Sequence, residues 1–272
     1  MKIETSDLWN KIPGNYSEIP RITAYIPDKK THNSAVIIFP GGGYSSRAPH
    51  EGENYAHFLN KNGITAFVVH YRVSPHTFPT QLLDARRAVK FIRYHSEKFG
   101  IDKNKIMVMG SSAGGHLASL VSTYFEDISI NTENDTIDAE CYIPNAQILC
   151  YPVISITDEH IGLKGVSFNF MGDAISKYGS KFETDKLVSD LTPPAFIWHT
   201  AEDTVVNVIN SMRYAEALKL KGIPVEMHIF PDGRHGLGLC DCKPESEKTE
   251  KIYNYVSKWT SLLLDWINYI GF

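Results

Sequence analysis

From residue 35 onward, short runs of apolar, largely β-branched residues alternate with segments whose apolar residues recur every three or four positions. That alternation constrains the fold more than any other feature, because strand, crossover helix and strand in succession build a parallel sheet. The runs are AVIIF (35–39), ITAFVVHY (64–71), KIMVMG (105–110), AQILCYPV (146–153), AFIWHT (195–200) and VEMHIF (225–230). Each is near-continuously apolar, as a strand covered on both faces requires. RITAYIP (21–27) alternates apolar and polar positions instead, and predicts a half-exposed antiparallel strand near the sheet edge, ahead of the parallel set. Leu82, Ala85, Val89 and Ile92 share one helical face, as do Ile252, Val256, Trp259, Leu263, Trp266 and Ile270. The predicted class is α/β, a mostly parallel central sheet with helices on both faces.

The 272 residues, 43% hydrophobic, suffice for a single domain over 1–272 whose core needs no disulfide or metal staple. Residues 155–192 separate two strands by more than a crossover needs and mix Gly, polar and aromatic residues. They predict a small cap or lid insertion, with a plain surface excursion as the alternative. With 27 Lys and Arg against 31 Asp and Glu, the formal charge of -4 gives no electrostatic pull toward nucleic acid or an anionic membrane. No run reaches the ~20 apolar residues of a membrane span, and MKIETSDLWNKIPG has no apolar signal region, so the expected location is cytoplasmic. Cys141, Cys150, Cys240 and Cys242 form no CxxC pair and are expected as free thiols, with no metal or cofactor. Whether copies associate into a homo-oligomer is left open.

The strongest chemical signal is Gly110-Ser111-Ser112-Ala113-Gly114, between the strand KIMVM and the helix-prone AGGHLASLVSTY. A strand that turns tightly into a helix needs small residues around the turn, and the central side chain, Ser112, then projects above the sheet. A serine hydroxyl is a poor nucleophile without a base in hydrogen-bond reach and a third group to orient that base. Asp203, in HTAEDTVVN, and His235, in PDGRHGLGL, lie in loops just after successive strands, in the chain order that a nucleophile elbow requires. Asp203 is favoured over its neighbour Glu202 because it leads into the next helix as a turn aspartate does. His116 is expected to hydrogen-bond under the turn, and His70, His199 and His228 belong to strands. Pro40-Gly41-Gly42-Gly43-Tyr44 follows the strand AVIIF and exposes main-chain N–H groups. Gly42 and Gly43, with the N–H of Ala113, are the candidate oxyanion donors.

PGGGYSSRAPHEGE, VVHYRVSP, LLDARRAVKFIRYH, IMVMGSSAGGHLAS, FIWHTAEDTVVNVINS and IFPDGRHGLGL together resemble the α/β-hydrolase superfamily, and most closely its small carbohydrate esterases, the acetylxylan and feruloyl esterase-like group. The resemblance implies an α/β-hydrolase fold, with Ser112 as nucleophile, His235 as base and later acid, Asp203 as its partner, and Gly43 with Ala113 as oxyanion donors. It implies a serine esterase that removes short acyl groups, acetyl among them, from sugars or small oligosaccharides. The glycine run departs from the common HGGG form in beginning with Pro40. Tyr44, Glu51, Phe168 and Phe170 are candidate pocket residues, Glu51 as a partner for sugar hydroxyls. A broad short-chain carboxylesterase or a formamidase needs the same parts, and a non-catalytic binding protein on the same fold is the alternative from another class.

Overall fold

The computed structural model describes residues 1–13, 18–128 and 135–272. Its strands are β1 (Lys2–Asp7), β2 (Arg21–Ile26), β3 (Ala35–Phe39), β4 (Thr65–His70), β5 (Ile106–Ser111), β6 (Ala146–Cys150), β7 (Ala195–Thr200) and β8 (Val225–Phe230). The helices are α1 (Glu53–Lys61), α2 (Thr80–Tyr94), α3 (Ser96–Phe99), α4 (Ala113–Thr123), α5 (Lys164–Met171), α6 (Ile175–Tyr178), α7 (Ile209–Leu220), α8 (Glu247–Val256) and α9 (Trp259–Tyr269). The strands form one sheet in the order β1-β2-β4-β3-β5-β6-β7-β8. Every neighbouring pair from β4 to β8 is parallel, whereas β2 runs antiparallel to both β1 and β4.

Alternation along the inner strands divides the core in two. Ile37, Phe39, Val108 and Ile197 join the side covered by α2, α4 and α7, through Leu82, Val89, Leu117, Leu120, Tyr214 and Leu218. Val36, Ile38, Met107, Met109, Phe196 and Trp198 face the other side, under Tyr55 and Leu59 of α1 and Val256, Trp259, Leu263 and Ile267 of the C-terminal helices. The indole of Trp259 stacks on Trp198 at 4.9 Å between centroids.

Three expectations need correction. RITAYI is antiparallel and lies next to the edge, but it is not half-exposed: Lys2–Asp7 adds a further strand outside it, and its central residues Ile22 to Tyr25 are buried. VEMHIF is not covered on both faces. It is the outermost parallel strand, mostly half-buried, and Glu226 and His228 bond to each other on its outer face. AQILCYPV stops being strand at Cys150, where Tyr151 takes φ +37° and turns the chain away from the sheet.

Candidate active site

Ser112 sits between β5 and α4 with φ +53°, a conformation that side chains rarely adopt and that a tight strand-to-helix turn imposes. Neighbouring glycines make the turn feasible. A Cβ on Gly110 would lie 2.1 Å from the carbonyl of Gly114, and one on Gly114 would lie 2.1 Å from that of Phe39. The Ser112 backbone is fixed on both sides: its N–H donates to Cys150 O (3.1 Å), and its carbonyl accepts from the N–H groups of His116 (3.1 Å) and Val153 (3.0 Å).

His235 and Asp203 reach this point from the carboxyl ends of β8 and β7. Thr200 at the end of β7 donates to Gly233 O (2.9 Å), which binds the two loops together. His235 Nδ1–H donates to Asp203 Oδ2 at 2.6 Å. Because that nitrogen holds the proton, Nε2 presents a lone pair, and it accepts from Ser112 Oγ at 2.9 Å. The other carboxylate oxygen of Asp203 accepts the N–H groups of Val205 and Val206, both at 2.9 Å. Burial alone would raise the Asp203 carboxyl, but His199 and His235 hold it well below the usual range, so it remains an acceptor. Glu202, its exposed neighbour, makes none of these contacts.

Gly42, Gly43, Glu51, Ser112 and His235 line a cleft of about 300 Å³, together with Ala48, His50, Val153, Leu163, Val166, Val205, Val206 and Gly236. Gly42 (φ +127°) and Gly43 (φ +63°) have backbone conformations that suit glycine. Among the described residues, their N–H groups have no protein acceptor. Ala113 opens α4, whose leading N–H groups have no acceptor within the helix. Unpaired donors beside a partly closed cleft that Gly42, Gly43 and Ser112 line suit an oxygen that gains negative charge.

The four candidate pocket residues are not all where the sequence reading put them. Tyr44 and Phe170 are completely buried and pack on each other at 4.9 Å, so neither reaches a substrate. Tyr44 O–H instead donates to His116 Nδ1 (2.8 Å), and His116 Nε2–H donates to Phe182 O (2.9 Å). His116 therefore has the hydrogen-bonding role expected of it. Phe168 is 54% exposed and lies outside the cleft lining. Glu51 does line the cleft, but it is only 3% exposed and both its oxygens are occupied. Oε2 accepts Gly41 N–H (2.9 Å) and Oε1 accepts Tyr151 O–H (2.8 Å).

Sequence reasoning missed Tyr151 and the apolar wall, and placed His199 at its strand without its link to Asp203. The Tyr151 ring packs edge-on against His235 at 5.1 Å, and its hydroxyl lies 3.2 Å from that of Tyr55, which in turn lies 3.0 Å from Ser111 Oγ. Burial holds both phenols well above their usual range, so each keeps a proton to donate. His199 Nε2–H donates to Val206 O (2.9 Å) and lies 3.4 Å from Asp203 Oδ2. Cys150, pushed up to about 12 by burial, stays protonated and does not compete as a nucleophile. Val205 and Val206 come two and three residues after Asp203 and Gly236 follows His235, so proximity in the chain was the one available signal for these wall residues.

Sheet order, elbow and the hydrogen-bonded Ser–His–Asp line define the fold as that of an α/β hydrolase. Within that class the chain belongs to the BD-FAE family, which matches residues 22–218. Among solved structures it is similar to the acetyl ester-xyloside bifunctional hydrolase from Caldicellulosiruptor lactoaceticus, with 41% identity and a TM-score of 0.86 over 99% of this chain and 97% of that one. Among curated proteins it is similar to endo-1,4-beta-xylanase B of Butyrivibrio fibrisolvens, 36% identical over 86% of this chain and 38% of that protein. It is also similar to an acetylxylan esterase of Xylanibacter ruminicola, 34% identical over 80% of this chain and 44% of that protein. The chain thus spans about two-fifths of the length of these curated relatives. No helix among the described residues is long and apolar enough to cross a membrane.

Proposed function

We propose that this chain is a serine carboxylic-ester hydrolase that removes short acyl groups, acetyl foremost, from sugars or small oligosaccharides. The observation that carries the reading is the Ser112–His235–Asp203 line of hydrogen bonds ending in a small, mainly aliphatic cleft. Ser112 Oγ attacks the ester carbonyl while His235 Nε2 takes its proton. The carbonyl oxygen, now negative, accepts from the N–H groups of Gly42, Gly43 and Ala113, and Asp203 stabilises the imidazolium. The C–O bond to the alcohol then breaks as Nε2 returns the proton to the leaving oxygen, giving an acyl-Ser112. Water, deprotonated by the same nitrogen, attacks the acyl carbon and releases the acid.

Similarity to an acetyl ester-xyloside bifunctional hydrolase and to an acetylxylan esterase supports a sugar as the alcohol part. Residues 155–192 act in this reading as a cap on one α/β-hydrolase domain, since Leu163 and Val166 from that segment wall the cleft. A cytoplasmic setting accords with four free cysteines, two of them exposed. A second reading, a broad short-chain carboxylesterase, is favoured by one feature: the polar side chains on the cleft are few, and those of Glu51 are already occupied.

Turnover of nitrophenyl acetate, butyrate and octanoate, set beside acetate release from acetylated xylo-oligosaccharides, tests both. The sugar-ester reading expects a preference for acetyl and a higher kcat/KM on the oligosaccharides. Equal kcat/KM on all acetyl esters favours the second reading, and turnover of octanoate alone excludes both.

A further inference from the structure

We infer that Glu51 is a positioning residue that holds the oxyanion loop in its working conformation and couples that loop to the base and the nucleophile. The inference rests on the esterase reading above and adds a role for a buried acid that the reaction does not consume.

The peptide unit between Pro40 and Gly41 immediately precedes the two glycines with free N–H groups. It is pinned at both ends: its carbonyl accepts Tyr71 O–H at 2.6 Å, and its N–H donates to Glu51 Oε2 at 2.9 Å. Tyr71 and Glu51 are themselves buried, so neither bond is exchanged readily for water. The acid can come this close only because residue 41 is glycine, since a Cβ there would lie 2.4 Å from Oε2. With the unit fixed, the backbone of the next two residues, Gly42 and Gly43, is held at the cleft that they line. Without Glu51, the Gly41 N–H loses its acceptor and the peptide is free to rotate about one remaining anchor.

The second oxygen of Glu51 extends the same restraint. Tyr151 donates to it, accepts the N–H of Gly238 at 3.0 Å, and places its ring against His235. The Tyr151 hydroxyl also adjoins that of Tyr55, which reaches Ser111 beside the nucleophile. His50, next to Glu51, uses Nε2–H to hold Gly236 O at 3.1 Å, in the loop that carries the base. One carboxyl group thus links the glycine loop, through Tyr151, to the loop that carries the base and to the residues beside the nucleophile. A role as a sugar contact conflicts with this, because both oxygens already have protein donors.

Glu51→Gln keeps the shape and one acceptor. Its amide oxygen accepts from Gly41, and its amide N–H donates to Tyr151 once that phenol turns its proton toward Tyr55. Glu51→Ala removes both. With nitrophenyl acetate as probe, E51A is expected to lower kcat about 10²-fold, the scale for misplacing or losing an oxyanion donor, with KM within about threefold of wild type. E51Q is expected to stay within about fivefold in kcat. Hydrogen–deuterium exchange of the segment Pro40–Tyr44 in the resting protein should be about tenfold faster in E51A and near wild type in E51Q. If E51A does not fold, Glu51→Asp, whose reach is one methylene shorter, takes its place with the same loss of kcat expected. Unchanged kcat and exchange in E51A or E51D, a change confined to KM, or E51Q as impaired as E51A would each overturn the inference. A wild-type protein inactive on every ester would defeat the esterase reading, while the exchange comparison would still decide whether Glu51 restrains the loop.

Discussion

His116 offers a test in which magnitude and sign both come from the structure. It is fully buried behind the elbow and bridges Tyr44 of the glycine loop to Phe182 of the 155–192 segment. Burial, the dominant cause, pushes its imidazole down to about 4 from an ordinary 6.5, partly offset by the carbonyl of Phe182 and the charge of Glu183. A folded-state value below the unfolded one means that the unfolded chain takes up the proton first. The stability this group contributes is therefore complete above pH 6.5 and is lost as pH falls toward 4. At 1.36 kcal/mol per unit, the gap corresponds to about 3 kcal/mol between neutral pH and pH 4. Carboxyl groups ordinarily titrate at the acid end of this range, so the measurement is a difference. Urea unfolding of the wild type and of His116→Asn, which keeps an acceptor near Tyr44 and has no proton to gain, is compared from pH 7.5 to 4. The stability deficit of the variant should shrink by about 3 kcal/mol over that range. A deficit constant to within about 0.5 kcal/mol would refute the account of His116 as a neutral, buried bridge.

Ser112→Ala and His235→Ala should each lower kcat by roughly 10⁴ to 10⁶ in the nitrophenyl acetate assay, since the groups act as a unit; a loss below tenfold contradicts their assignment. Gly114→Ala sets a Cβ 2.1 Å from the carbonyl of Phe39 and 2.7 Å from that of Pro40, atoms of the strand and loop that carry the oxyanion donors. A melting temperature several degrees lower and kcat reduced about 10²-fold are expected, and an unchanged pair of values would show that the backbone yields freely. Leu163→Ala opens the cleft wall and should raise the butyrate-to-acetate ratio of kcat/KM about tenfold; an unchanged ratio removes Leu163 from the acyl side.

Strand and motif were legible because local chemistry alone produces their signals. AFIWHT and VEMHIF are strands with the bounds read from the sequence. KIETSD has no apolar face to announce it and becomes a strand only because β2 supplies a hydrogen-bonding edge. The loop-borne Ser112, Asp203 and His235 were legible through order and strand exits, and the structure brings them within hydrogen-bonding distance. Partners set by packing were not legible. Nothing in APHEGE reveals that Glu51 turns inward to Gly41 and Tyr151, so an acid near a glycine loop was read as a sugar contact. Tyr44 and Phe170 were misassigned for a related reason: an aromatic ring beside a site has the same sequence signature whether it lines the cleft or supports the loop from below.

Leu163 and Val166 enter the cleft from a segment that supplies none of Ser112, Asp203 or His235. Part of the cleft wall is thus encoded apart from the reacting groups, while Val205, Val206 and Gly236 tie the rest of it to the Asp203 and His235 loops. Changes at positions 163 and 166 can therefore reshape one side of the doorway without touching the stretches that hold Ser112, Asp203 and His235.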